Sequence, residues 1–194
     1  WNDLRNVINR QYLYSDGSSM VIKMTCIDAG YNTKRVYDFC SGFTTDRVIP
    51  IMGRDSVKDV MVSPPRAVNV NKGGKKIKGT KVWYLGTSLL KSELYGFLKL
   101  TPIEVDGIEI YPQGYCHFPQ YDRHYFKMLT AEELRLVKNK KGYSSYEWVK
   151  VFERNEARDL RCYARAAAYI VGIDRFKEET WEKIKAQIRV VPVA

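Results

Sequence analysis

Hydrophobic residues recur along the chain in two kinds of pattern, one typical of amphipathic helices and the other of strands. Spacings of three and four residues predict helices over residues 1–13, 32–42, 88–100, 122–129, 130–142, 156–171 and 177–189. Short β-branched or alternating runs predict strands over residues 20–28, 47–53, 82–87, 114–119 and 144–152. Because a strand, a helix and a strand follow one another from residue 20 to residue 53, we expect a βαβ unit in a largely buried sheet.

A basic stretch from Pro64 to Lys81 breaks the hydrophobic pattern. Its sequence, PPRAVNVNKGGKKIKGTK, contains Pro-Pro and Gly-Gly pairs and no acidic residue. This composition predicts an exposed loop or hairpin. Two interpretations fit it equally well: a solvated turn, or a clamp for the DNA backbone.

The composition indicates a globular protein with an anionic partner. A chain of 194 residues suits one domain, and a hydrophobic content of 45% argues against disorder. Lys and Arg number 32 against 22 Asp and Glu, and the net charge of +10 favours nucleic acid as the partner, although a merely basic surface is the alternative. No apolar run approaches the roughly 18 residues of a membrane-spanning helix, so no membrane partner is expected.

Cysteine usage and the first residue suggest a setting for the protein. The four cysteines lack a CxxC pair, lie among apolar neighbours and are typical of reduced thiols: Cys26, Cys40, Cys116 and Cys162. A reducing cytoplasm suits them, and the sequence shows no secretory leader. The chain begins at Trp1 instead of at Met, so we expect it to be a piece of a longer polypeptide.

Two common kinds of site are not predicted. His117 and His124 lack the close spacing of zinc ligands, and no cysteine pair is available to complete a zinc site. No GxxxxGK[ST] loop is present, so ATP, if the parent protein uses it, would be bound elsewhere.

Asp28 is the first candidate for chemistry. It follows a run predicted to form a central strand, and α/β folds tend to place their sites at the carboxyl ends of such strands. The alternative is that Asp28 only caps the turn into the following AGYN sequence.

Asp159 is the second candidate, near the start of the helix predicted over 156–171. Glu156 and Asp159 are three residues apart and share a helix face. The apolar and small residues predicted to mark the buried side are Leu160, Tyr163, Ala164, Ala167, Ile170 and Val171. The two acids either decorate the first turn, where the helix dipole favours them, or contribute to a metal site.

Aspartates on two separate elements suit a divalent ion if the fold brings them together. Hard carboxylate oxygens bind Mg²⁺ or Mn²⁺, and two such ions can stabilise the attacking and leaving oxygens of a phosphodiester. The basic composition strengthens this interpretation, because the substrate would be anionic.

Several short motifs occur in an order that resembles the C-terminal nuclease domain of lambda-type phage terminase large subunits. They are TCIDAGYNTKRVYDFC, RVIPIMGR, WYLGTSLLKSELYGFL, YCHFP, LTAEE and WVKVFERNEARDLRCYARAAA. The resemblance covers residues 1–173, leaving 174–194 as a C-terminal helix and tail. It implies an α/β, RNase H-like mixed sheet flanked by helices, with a cluster of acids that holds two divalent metal ions, Mg²⁺ or Mn²⁺.

The resemblance assigns roles to individual residues. The Asp of the family's D-[ST]-G pattern corresponds to Asp28, and the Asp of its RNEALD pattern corresponds to Asp159 within RNEARD. Asn155 and Glu156 match the second motif as well, and Glu156 would either orient water or metal or simply pair with a nearby Arg. Lys91 matches the lysine of a GT-x-x-x-K stretch. The basic residues predicted to hold the DNA backbone are Lys34, Arg35, Arg54, Lys72, Lys75, Lys76, Lys78 and Lys91.

One element of the family's pattern is missing. The first strand of the family, with a metal-binding Asp in a VDxQ-like motif, is expected some tens of residues before Trp1. The sheet would then lack an N-terminal strand and the site a third acid. We therefore expect this chain alone to be weakly active or inactive.

The leading functional hypothesis is a metal-dependent endonuclease that cuts concatemeric phage DNA into unit genomes. The partners it implies are double-stranded DNA, the small terminase subunit, the portal protein and the ATPase domain of the same polypeptide, in the host-cell cytoplasm. The alternatives are a non-catalytic module that grips DNA or docks on the portal, and another RNase H-like enzyme such as a resolvase or a transposase.

Overall fold

The computed structural model describes residues 1–54, 56–72, 75–138 and 141–187, and gives the backbone alone for 70–72, 75–79 and Gln187. The helices are α1 Asn2–Asn9, α2 Thr33–Cys40, α3 Thr87–Phe97, α4 Arg123–Leu129, α5 Glu156–Val171 and α6 Glu178–Gln187. The strands are β1 Gln11–Leu13, β2 Ser19–Val21, β3 Thr25–Asp28, β4 Val48–Gly53, β5 Arg66–Lys72, β6 Lys75–Leu85, β7 Ile103–Val105, β8 Ile108–Ile110, β9 Glu132–Lys138 and β10 Ser144–Lys150. Two compact units are present: residues 1–86 with those from 166 onward, and residues 87–165.

The first unit is built on a mixed four-stranded sheet. Its order is β3-β4-β6-β5, in which β3, β4 and β6 are parallel and β5 is antiparallel to β6. Helix α2 connects β3 to β4 and packs against the sheet through Val36 and Phe39, while Ile8 of α1 joins the same core. The predicted βαβ unit and the mixed sheet flanked by helices are confirmed, and the basic stretch forms the predicted hairpin.

Strand β4 is the best-buried strand of the sheet, but a proline interrupts its hydrogen bonding. Residues Val48 to Ile51 are all buried. Pro50 has no amide hydrogen to donate. The pairing of β4 with β3 spans Thr25 to Asp28 of β3, whereas the pairing of β4 with β6 begins only at Ile51, opposite Trp83. The contacts between β4 and β6 are therefore confined to the carboxyl-terminal half of β4.

The first 28 residues differ from the prediction in two ways. The helix predicted over 1–13 ends at Asn9, and Gln11–Leu13 instead pairs with Ser19–Val21 across a turn in which Gly17 has φ of 80°. The single buried strand predicted over 20–28 is two strands, β2 and β3, and Val21 of β2 is exposed. Strand β3 lies at the edge of the described sheet and not at its centre.

The second unit contains α3, two antiparallel hairpins, α4 and the first turns of α5. Helices α3 and α4 confirm their predictions, and the Asp122 carboxylate caps α4 by accepting a hydrogen bond from the Tyr125 amide at 2.8 Å. The helix predicted over 130–142 is wrong, because Glu132–Lys138 forms β9 and pairs along its whole length with β10. The capping-box residues favoured a helix locally, and pairing with β10 outweighed that preference.

The strand predicted over 114–119 is also wrong, since the stretch forms no strand. Gly114 has φ of 90°, outside the extended region that a strand requires. The rings of Tyr111, Tyr115 and His117 pack on one another with centroids 4.7–4.9 Å apart. Ring packing therefore holds this segment in an irregular loop.

Helix α5 has the predicted bounds, but its buried face is rotated relative to the prediction. Leu160 is 67% exposed, and Ala164 is exposed as well. The buried residues of the helix are Ala157, Arg158, Cys162, Ala166 and Ala167. The buried stripe thus includes an arginine, Arg158. Cys162 and Ala166 follow it at intervals of four residues, on the same face of the helix.

All four cysteines are free, and burial raises the pKa of Cys26 and Cys40 to about 12 and that of Cys162 to about 11. This confirms thiols that behave as small hydrophobic side chains. Among the described helices, none is both long and apolar enough to cross a bilayer.

Candidate functional site

Asp28 ends β3 and begins a tight turn. Its Oδ1 accepts a hydrogen bond from the Gly30 amide at 2.9 Å, while the Ala29 amide donates to Ile51 O at 2.9 Å. A side chain at position 30 would place Cβ 3.2 Å from Asp28 Oδ1, tighter than an ordinary contact. The glycine therefore lets the turn fold back against an exposed carboxylate and fix its direction, so the turn-capping role foreseen as the alternative is real and leaves the group at the surface.

Three loops meet at the same sheet edge as Asp28. Because β3, β4 and β6 are parallel, their carboxyl ends lie together, and these ends are Asp28, Gly53 and Leu85. Arg54 follows Gly53, and its amide donates to Leu85 O at 3.0 Å. Arg54, predicted to contact DNA, thus belongs to the same edge of the first unit as Asp28.

Two more of the residues predicted to bind DNA lie on α2. Lys34 and Arg35 are exposed and line a shallow surface groove together with Asn32 and Asp38. Lys34 is 3.5 Å from Asp38, and Arg35 lies over the Trp1 ring. Tyr31, between Asp28 and this helix, is fully exposed.

The side chains of Lys72, Lys75, Lys76 and Lys78 lie outside the described residues. Their contacts with DNA stay a prediction.

Asp159 lies in the second unit, on the first turn of α5, where Arg158 holds it. Arg158 Nη2 and Nε donate to Asp159 Oδ1 at 2.8 and 3.3 Å. Arg158 Nη1 is 2.7 Å from Glu132 Oε1. The Arg158 side chain is only 3% exposed, whereas that of Asp159 is 36% exposed. A buried guanidinium thus fixes Oδ1 of a carboxylate that is still open to solvent.

Glu132, on β9, joins this pair to Lys91 on α3. Lys91 Nζ is 2.6 Å from Glu132 Oε2, and the two side chains are 14% and 12% exposed. Lys91 also lies 5.7 Å from the centre of the Trp148 ring, whose Nε1 donates to Ser88 Oγ at 3.1 Å. Lys91, predicted to lie near the scissile backbone, is therefore largely buried and paired with a carboxylate.

Glu156, the third predicted catalytic acid, is exposed. Its Oε1 accepts a hydrogen bond from Arg154 Nε at 3.2 Å. Its pKa is lowered by its hydrogen bond to its own backbone amide and by Arg154. Pairing with a nearby Arg was one of the two roles foreseen for this residue.

Sequence reasoning missed two residues of the ion pairs beside Asp159: Glu132 and Arg158. Arg158 stands where the resembled motif has Leu, but a charge at that position does not by itself indicate that the side chain is buried. The role of Glu132 was missed because its segment was predicted to be a helix. The segment is a strand that pairs with β10.

Burial alone would raise the pKa of Glu132, but Lys91 and Arg158 together lower it below its ordinary 4.5. A carboxylate whose pKa is depressed in the folded state adds stability that is complete above its unfolded value and is lost as the pH falls through the folded pKa. We expect the midpoint temperature of unfolding to decrease as the pH is lowered below about 4.5. The decrease should be less steep in Glu132→Gln than in the wild type. Melting followed by circular dichroism between pH 3 and 7, with Glu133→Gln on the same strand as the control, checks this; parallel curves for wild type and Glu132→Gln would contradict it.

Both aspartates have the chemistry of ligands for a divalent ion. Carboxylate oxygens suit Mg²⁺ or Mn²⁺. All described contacts of Asp159 fall on Oδ1, which leaves Oδ2 for a metal ion. Among the described residues, no group of three or more His, Cys, Asp or Glu side chains is arranged to hold an ion.

A family model described as terminase large subunit gpA, endonuclease domain, matches residues 1–181. No curated protein and no solved structure gives a significant match. The family match covers most of the chain, including Asp28, Asp159 and the buried ion pairs around Arg158.

Proposed function

The chain belongs to the family of terminase large subunit endonuclease domains, and from this premise we propose that it is a divalent-metal-dependent endonuclease that cuts concatemeric phage DNA into unit genomes. The match over residues 1–181 carries the proposal. The exposed carboxylate of Asp28, at the carboxyl end of a parallel strand, supports it, because α/β folds commonly place their sites at such ends.

In this proposal, Asp28 and Asp159 are ligands of two divalent metal ions, Mg²⁺ or Mn²⁺. A bound divalent ion would activate water and stabilise the leaving oxygen of the cleaved phosphodiester. Gly30 directs the Asp28 carboxylate through its amide, and Arg158 holds Oδ1 of Asp159. The basic side chains of α2 and of the sheet edge would bind the DNA backbone.

The fold we propose for the complete domain is RNase H-like, with residues 1–173 as the nuclease part and 174–194 as a C-terminal addition. The partners we propose are double-stranded DNA, the small terminase subunit, the portal protein and the ATPase domain of the same polypeptide. The protein would act in the host-cell cytoplasm. Since phosphate contacts carry no sequence information, the small subunit would choose the cutting site.

Metal binding and cleavage by the chain test the proposal. We expect calorimetric titration to show Mn²⁺ binding, and supercoiled plasmid to be nicked in Mn²⁺ but not in EDTA. Cleavage is followed over hours, because the sequence predicts that this chain alone is weakly active or inactive. A chain that binds DNA but does not bind Mn²⁺ would contradict the nuclease and favour the non-catalytic DNA-gripping module.

A further inference from the structure

Two arginines share one tyrosine ring at the sheet edge that carries Asp28. The Cζ of Arg54 lies 5.2 Å from the centre of the Tyr84 ring, and the Cζ of Arg66 lies 5.7 Å from it. Arg54 follows β4, Arg66 opens β5, and Tyr84 lies near the end of β6. Three neighbouring strands of the first unit therefore supply this arginine–tyrosine cluster.

The tyrosine is a fixed platform. Its amide donates to Ser63 Oγ at 3.3 Å, and its carbonyl accepts from the Ser63 amide at 2.8 Å. Tyr84 is half-buried and packs against the sheet core, whereas Arg54 and Arg66 are exposed. A guanidinium stacked on a ring keeps its N–H edge free to donate hydrogen bonds.

The cluster carries two positive charges, and the described part of the chain supplies no carboxylate counter-ion to them. No carboxylate lies within 4 Å of Arg54 or Arg66 among the described residues. By contrast, exposed Arg135 is paired, with its Nη2 2.8 Å from Glu133 Oε2. The two guanidinium groups on one ring repel each other. An anion bound between or beside them would offset this electrostatic repulsion.

We propose that Arg54, Tyr84 and Arg66 form a binding site for the phosphates of the DNA backbone. The planar guanidinium fork matches phosphate oxygens in a bidentate geometry, and contact with the half-buried Tyr84 ring would restrict both side chains before the DNA arrives. The site follows β4 and β6 at the edge where β3 ends in Asp28, so it would grip duplex next to that acid. The choice of DNA as the ligand rests on the proposed function.

Equilibrium binding without cleavage tests the site. The affinity for a fluorescein-labelled duplex is measured by anisotropy in EDTA over a series of salt concentrations. We expect Arg54→Gln and Arg66→Gln each to bind several-fold more weakly, and each to lower the slope of log K against log salt by about 0.9, the value for one phosphate contact. Arg54→Gln/Arg66→Gln together should lower the slope by about 1.8.

Matched variants separate a specific site from a general loss of charge. Arg135→Gln removes one exposed positive charge that is already paired with Glu133, and should leave the slope within error of the wild type. Tyr84→Phe keeps the ring and should bind like the wild type. Tyr84→Leu keeps both charges but removes the platform, and should lower affinity with little change in slope; its fold is verified by circular dichroism.

Three results would overturn the assignment. Arg54→Gln and Arg66→Gln could bind DNA as tightly as Arg135→Gln, while the wild type still binds duplex and nicks it, in which case only this inference fails. Tyr84→Leu could bind DNA as tightly as the wild type, which would show that the ring does not contribute to the site. Absence of DNA binding by the wild type would remove the proposed function together with this site.

Discussion

Asp28→Asn and Asp159→Asn should each lower Mn²⁺-dependent plasmid nicking by about two orders of magnitude or more, because a ligand to a catalytic ion supports several kcal/mol of transition-state stabilisation. Asparagine preserves the shape of both sites. Its side-chain oxygen can still accept from the Gly30 amide at position 28, or from Arg158 at position 159. The loss should therefore arise from the missing negative charge, and calorimetric Mn²⁺ binding should weaken in parallel.

Two further variants make this result specific. Asp38→Asn removes a carboxylate of the first unit that pairs with Lys34. This variant should nick plasmid like the wild type. Glu156→Gln distinguishes the two roles foreseen for that residue, since pairing with Arg154 alone predicts near-normal nicking. Wild-type rates in both Asp28→Asn and Asp159→Asn, with Mn²⁺ binding unchanged, would remove these residues from the site.

Glu132→Ala should destabilise the protein by about 3–5 kcal/mol, the usual cost of breaking a buried ion pair from one side. The substitution leaves Arg158, at 3% exposure, and Lys91, at 14%, without their shared carboxylate. Part of the Arg158 charge remains balanced by Asp159. Urea unfolding followed by circular dichroism gives the free energy, and the steepness of the transition shows whether unfolding is still cooperative.

A double-mutant cycle identifies the source of this loss. Glu132→Ala combined with Arg158→Met should cost less than the sum of the two single changes, because the double variant no longer buries an unpaired guanidinium. Glu93→Ala is the matched control: its partner Arg165 lies on the same helix as Arg158, with both side chains about one-fifth exposed. If Glu132→Ala lowers the free energy of unfolding no more than Glu93→Ala does, the ion pairs of Glu132 do not stabilise the fold more than the Glu93–Arg165 pair.

The sequence predicted those elements whose local pattern and tertiary packing agree. Helix α2 carries its apolar residues on one face and packs there, and β4 is a continuous apolar run that is buried on both sides. Strand β9 was mistaken because its Glu and Leu residues favour a helix locally, and that preference was weighed without its pairing with β10, the next strand along the chain. The alternation of Leu134 and Leu136 was the signal available for a strand.

The candidate site was predicted only in part for a related reason. Asp28 and Asp159 each follow a recognisable pattern, a strand end and a helix start. The groups that hold them or lie beside them do not, because a buried arginine such as Arg158 resembles a surface charge until the opposing carboxylate of Glu132 is known. Likewise, Arg66 belonged to a stretch interpreted as a solvated turn or a DNA clamp without a role for any single arginine, and its contact with Tyr84 depends on the register of β5 against β6.

Pro50 gives the sheet a gradient of rigidity along its strands. Since β4 cannot donate from residue 50, its ladder with β6 is restricted to the three pairs from Ile51 to Gly53. At the amino end of β4, Pro50 has no amide hydrogen and the Val48 amide donates to Thr44 O instead of to β6, whereas the paired end carries Asp28, Arg54 and the ring of Tyr84. Thermal opening of the sheet would thus start at the end away from the acid, and the geometry at the acid would be the last to relax.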